Sequence, residues 1–199
     1  MKKIFFTILC LGLLPLSANA TVIDVHSTSS YGVGGGVAQG RAQGILVNSN
    51  FSVSAIGIYG NLVAQSFDIV VYSSINGHSA GSVLASASAL AGGTGLGWNN
   101  IAFNFNFLAG NYYVVNWRPT AVNSNWGSLD YYRDNVLPQI VGPLTLVEGF
   151  SGFSAIGAAN TLHPRLGYVT GVSDVPEPAM FGLFLLGLIG FGISRRKSI

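Results

Sequence analysis

Residues 101–107 read IAFNFNF, and the step of two in this stretch decides the fold class. Ile101, Phe103, Phe105 and Phe107 fall on one side of an extended chain, while Ala102, Asn104 and Asn106 fall on the other. A helix would scatter the same side chains around its axis. A strand of this kind needs a packed layer beneath it and solvent above. Downstream, LAGN at 108–111 reads as a turn and YYVVNWR at 112–118 as the next strand, so the two are expected to form a hairpin. Upstream, FSVSAIGIYG (51–60) and SFDIVVYSS (66–74) are β-branched and aromatic runs bounded by Asn, Gly and Ser, and RLGYVTGV (165–172) is another. Between residues 21 and 174 no stretch has the helical period with a charged face. Short strands at this spacing predict an all-β body, an antiparallel β-sandwich or jelly roll.

The composition is unusual for a soluble domain, with 8% of residues charged and 49% hydrophobic. Much of the apolar surplus lies at the two ends. Lys2 and Lys3 precede an apolar run from Ile4 to Leu16, and Ala18 and Ala20 place small side chains where signal peptidase reads them. Residues 1–20 are therefore expected to be a cleaved signal peptide, with the mature chain starting at Thr21. A lipoprotein signal at Cys10 is disfavoured, because Leu9 stands where a small residue is needed. With the leader removed the chain has no cysteine, so disulfides and thiolate metal sites are excluded.

At the other end, Ala179–Ile193 is fifteen residues without a charge. As a helix it would rise about 22 Å, short of a ~30 Å hydrocarbon core unless Ser194 joins it and Arg195, Arg196 and Lys197 snorkel to the headgroups. Cationic flanks at both ends stay cytoplasmic, which leaves the body across the membrane, tethered by its tail. Ahead of the apolar run, Pro176-Glu177-Pro178 resists helix and strand alike and gives an exposed, extended stub.

These three parts in this order resemble the PEP-CTERM sorting signal. The resemblance implies recognition of Pro176, Glu177, Pro178, Arg195, Arg196 and Lys197 by an exosortase, an integral membrane enzyme. It also implies a Gram-negative, exopolysaccharide-producing source and a final place at the outer cell surface or in the extracellular matrix. The expected organisation is a signal peptide (1–20), a β-sandwich ectodomain (21–174) and a sorting segment (175–199) with a transmembrane helix. The stretch from about 55 to 117, with its Gly-rich turn, Leu-Ala strand and Trp-Asn strand, is similar to β-sandwich ectodomains of the choice-of-anchor kind. That likeness implies a fold and no single activity.

Residues 21–178 carry four arginines, no lysine and seven carboxylates, a net charge of −3. Phosphate neutralisation is thereby disfavoured, and nucleic acid is not an expected partner. Gly77-His78-Ser79-Ala80-Gly81 fits G-x-S-x-G, and Asp130 or Asp134 followed by His163 would complete a triad in the order of an α/β-hydrolase. That elbow needs a buried parallel strand directly before the serine and a helix directly after it. Here the flanking chain alternates like antiparallel sheet, so the motif reads as a turn between two strands. A secreted serine hydrolase using Ser79 is the alternative reading. GVGGG (32–36) and GGTGLG (92–97) lack the spacing of a dinucleotide fingerprint and read as loops. Asp130, Asp134 and Asn135 match no calcium-loop spacing, so no metal and no cofactor are expected.

The aromatic residues offer the more specific surface. Trp126, Tyr131, Tyr132 and Arg133 lie in a polar stretch, 118–137, that reads as a loop between strands, and flat rings beside amides suit the apolar face and hydroxyl rim of a sugar. The sequence thus predicts a non-catalytic, exported surface protein, a substrate of signal peptidase and exosortase. Exopolysaccharide is its candidate ligand. Trp126 is expected to be structural, since a sandwich commonly buries its tryptophans.

Overall fold

The alternation of residues 101–107 is reproduced in three dimensions: Ile101, Phe103 and Phe107 are buried, whereas Ala102, Asn104 and Asn106 are exposed. The computed structural model describes residues 20–25, 30–34, 40–121, 125–133, 138–151, 159–160 and 162–170, within a compact unit spanning Ala20–Gly171. Among the described residues all regular structure is β. The strands are β1 (Thr21–Asp24), β2 (Ser30–Gly34), β3 (Arg41–Val47), β4 (Phe51–Leu62), β5 (Gln65–Ser74), β6 (Val83–Ala91) and β7 (Leu96–Phe107). They continue with β8 (Tyr112–Pro119), β9 (Gly127–Arg133), β10 (Gln139–Val141), β11 (Leu144–Ser151), β12 (Ala159–Asn160), β13 (Leu162–Pro164) and β14 (Leu166–Thr170). No helix among these residues is long and apolar enough to cross a membrane. The leader and the 179–193 run lie outside the described residues.

The strands form two antiparallel sheets. In the first, β1, β14, β4, β9 and β13 follow one another, with β7 along β4 and β2 on β9. In the second the order is β10-β11-β3-β8-β5-β6, with β12 beside β11. One core joins them. Ile56, Ile58, Phe107, Leu129 and Tyr168 of the first sheet meet Ile45, Phe67, Val71, Val115 and Trp117 of the second. Aromatic contacts cross between the layers, with Phe107 edge-on to Tyr113 at 5.2 Å and Phe67 against Trp126 at 5.6 Å. Burial pushes the Tyr168 phenol well above its ordinary pKa, so this ring is neutral in the folded protein.

Two expectations about local order are corrected. IAFNFNF and YYVVNWR do not pair with each other: β7 lies on β4 in the first sheet, and β8 lies between β3 and β5 in the second. The turn at 108–111 carries the chain from one layer to the other, held to the end of β3 by Val47 N–H donating to Asn111 O at 3.0 Å. The reason is burial on both faces of β8. Tyr113, Val115 and Trp117 point into the main core, while Val114 joins Ala42 and Phe150 in a second cluster. Such a strand belongs at the centre of a sheet.

The second correction concerns 118–137, which is not simply a loop. Its Gly127–Arg133 portion is β9, paired with β2, β4 and β13. Gly32-Val33-Gly34 is likewise strand, on β9. The signals for both were masked by charge and glycine, and pairing partners far along the chain overrode the local preference.

Candidate functional site

The motif residues are dispersed. Ser79 is exposed in the connection between β5 and β6, whereas Asp130 lies on β9 and His163 is buried on β13 of the first sheet. The Ser79 hydroxyl lies 3.4 Å from Asn76 Oδ1, and the Ser79 carbonyl accepts a 2.6 Å bond from Ser74 Oγ. Asn76 Oδ1 also accepts from His78 N–H at 2.9 Å. These polar groups hold a turn between antiparallel strands. Asp134 and Asn135 lie outside the described residues, as do Ala18, Pro176, Glu177, Pro178, Arg195, Arg196 and Lys197.

Of the candidate sugar-binding residues, Trp126 is fully buried at 0% exposure and packs on Phe67, so it is not part of an exposed platform. Its apolar bulk fills the core at the start of β9, where its carbonyl accepts from Val63 N–H at 3.1 Å. Tyr131, Tyr132 and Arg133 are placed on β9 by their backbone pairing with β13, and their side chains lie outside the described residues.

A different aromatic site occupies the outer face of the first sheet. Stepping back by two from Asn106 along β7 reaches Asn104, Ala102, Asn100 and then Trp98, so this tryptophan shares the solvent face with three asparagines. Trp117 and Trp126 are buried, whereas Trp98 is partly exposed. Its ring lies over the backbone of β4 and β14. There Gly57 and Gly167 leave room, because a Cβ on Gly167 would stand 2.7 Å from Trp98 Cζ3. Tyr59, directly opposite Trp98 in the β4–β7 register, meets it edge-on at 5.4 Å.

Arg165 completes the cluster. It sits where β4 exchanges β14 for β9 as a partner, with its carbonyl accepting from Tyr59 N–H at 3.0 Å and its N–H donating to Asp130 O at 3.1 Å. The guanidinium carbon is 4.5 Å from the Tyr59 ring centre and 5.4 Å from that of Trp98. Nε donates to Asp24 Oδ1 at 3.0 Å and Nη1 to Asp130 Oδ2 at 3.3 Å. The hydrogen bonds to Asp24 push the Arg165 pKa up against the opposing effect of burial. Two carboxylates around one guanidinium leave the cluster with one net negative charge. The result is a partly exposed indole bordered edge-on by Tyr59, flanked by the Arg165 ion pair and neighboured by the exposed Asn100 amide.

The second sheet carries its own surface feature. The β5–β6 connection folds back over the outer face, bringing Gly77 against Gly44 of β3 and Val147 of β11. His78 Nδ1 reaches Glu148 Oε2 at 3.1 Å. An open cleft of about 500 Å³ beside this pair is lined by residues including Asn76, Tyr112, Thr145 and Leu46.

Comparison with known families finds one feature. The model of the PEP-CTERM protein-sorting motif matches residues 174–197. No curated protein matches the chain. The matched motif marks an exported protein that is processed at the membrane by an exosortase.

Proposed function

Because the chain carries a PEP-CTERM sorting motif, we propose that it is a non-catalytic component of the cell surface or extracellular matrix whose sandwich binds exopolysaccharide on the Trp98 face. In this account signal peptidase removes the leader after Ala20. The 179–193 helix then holds the protein in the inner membrane of a Gram-negative cell, and exosortase acts at Pro176-Glu177-Pro178. The observation that carries the binding role is the partly exposed Trp98 ring, seated on Gly57 and Gly167 beside Tyr59 and next to the exposed Asn100. A sugar ring stacks its CH face on such a surface and meets amide groups at the edge. The acidic, lysine-free body fits a neutral or hydroxyl-rich ligand better than a polyanion. Serine hydrolysis at Ser79 has weaker support, since the hydroxyl lies in a hairpin turn whose neighbouring polar groups are engaged with one another.

Trp98→Ala is expected to weaken retention on the producer's exopolysaccharide by about thirtyfold, the effect of losing a central aromatic anchor. The melting temperature should move little, because the ring is already partly in solvent. Affinity electrophoresis beside a thermal melt reads both. Undiminished retention in the well-folded variant would remove the sugar-binding role and leave an inert coat protein.

A further inference from the structure

β6 is the terminal strand of the second sheet. β6 is paired on one side by β5, and among the described residues no strand pairs with its other side. Exposed edges are usually blunted by lysine, proline or an inward charge, and Val83–Ala91 contains none of these. The single irregularity lies at the Val83 end, so the register from Ala85 to Ala91 is regular. Leu84 and Leu90 are 48% and 75% exposed on the outer face, while Ala85, Ala87 and Ala89 pack against the core on the inner one.

Residues 84–90 read LASASAL, the same in both directions. We propose that two copies of this chain join along β6, antiparallel, about a twofold axis at Ala87. This register sets Leu84 opposite Leu90 of the second copy, Ala85 opposite Ala89, Ser86 opposite Ser88, and Ala87 opposite itself. Every side chain thus meets its own kind on its own face of a continued sheet. An isologous contact demands such self-complementarity. Seven paired residues supply roughly six to eight backbone hydrogen bonds. The seam is also free of uncompensated charge. Asp68, the carboxylate on neighbouring β5, is held within its own copy by Ser88 Oγ at 2.6 Å, Thr120 Oγ1 at 3.0 Å and Arg118 Nε at 3.4 Å. An interface this narrow is weak for freely diffusing chains and gains from confinement at a surface.

Cysteine crosslinking tests the register, since Cys10 is the chain's one cysteine and Cys10→Ser gives a clean background. Opposed Cα atoms in an antiparallel pair lie about 4.5–5.5 Å apart, within disulfide reach. Ala87→Cys in the full chain, expressed in its native envelope, is expected to give a disulfide-linked dimer under mild oxidation. Leu90→Cys should crosslink at least tenfold less, because the two Leu90 positions stand about 20 Å apart along the seam. Adding Leu84→Lys and Leu90→Lys to Ala87→Cys should lower the dimer by a similar factor, as lysines then face lysines. The unsubstituted protein provides a second readout. It should show concentration-dependent dimerisation by sedimentation, absent in the double-lysine variant. Equal crosslinking at 87 and 90, no crosslinking of an accessible Cys at position 87, or a monomer at every concentration would each overturn the proposal.

Discussion

Trp126→Ala is expected to cost about 3 to 5 kcal/mol, the range for removing a buried aromatic ring. Native domains hold roughly 5 to 15 kcal/mol in reserve, so the variant should lose most of its stability or its cooperative transition altogether. The ring has 0% exposure and packs on Phe67, which also contacts Trp117 at 6.1 Å. Truncation therefore leaves a cavity between the sheets rather than a gap at the surface. Trp126→Phe should recover much of the loss, because most of the apolar volume returns. Chemical denaturation of the two variants measures the difference. A Trp126→Ala protein with near-normal stability would mean that the ring lies outside the core. That outcome would also revive its role as a surface anchor.

The second large effect is expected at Gly44. A Cβ at this position of β3 would collide with the Gly77 carbonyl oxygen, so Gly44→Val must lift the β5–β6 connection from the outer face. Valine favours strands over glycine, and by local preference alone the change would stabilise. Overpacking opposes it by about 1 to 3 kcal/mol, and the His78–Glu148 contact at 3.1 Å would be lost with the displaced loop. The net sign should be destabilising. Limited proteolysis at 75–82, together with a thermal melt, checks it. Unchanged melting and an uncut loop would show that the connection does not rest on β3.

How far the sequence carried this reading depended on whether the signal was local. The period of two at 101–107 gave the strand and its buried face, and the linear order of Pro176-Glu177-Pro178, apolar run and cations gave the sorting motif. Both lie within a few residues of chain. The same period, extended back to Trp98, would have put that tryptophan on the solvent face. Leu96-Gly97, expected to end the GGTGLG loop, is instead the start of β7, where it pairs with Gly60 and Asn61 of β4. The partners of Trp98 were not legible, since Gly167 and Arg165 arrive from β14 and its approach, far along the chain. The hairpin expected at 101–118 failed for a related reason. A tight turn fits two strands of one sheet or a step between two sheets, and only the unbroken run YYVV at 112–115, against the alternation before it, marks β8 as a central strand.

β9 was hidden by its own chemistry. Leu129-Asp130-Tyr131-Tyr132-Arg133 looks too polar for a paired strand, but Asp130 is matched by Arg165 across the sheet, a pairing no window of sequence reveals.

Export of the sandwich followed by processing of its tail is read out by the intact mass of the protein recovered from its native envelope. A chain that begins at Thr21 and lacks the basic end Arg195-Arg196-Lys197 is expected, with any added mass on the new C-terminus reporting the group transferred during sorting. A surface-exposed protein that keeps Ile199 and the full apolar run would contradict it.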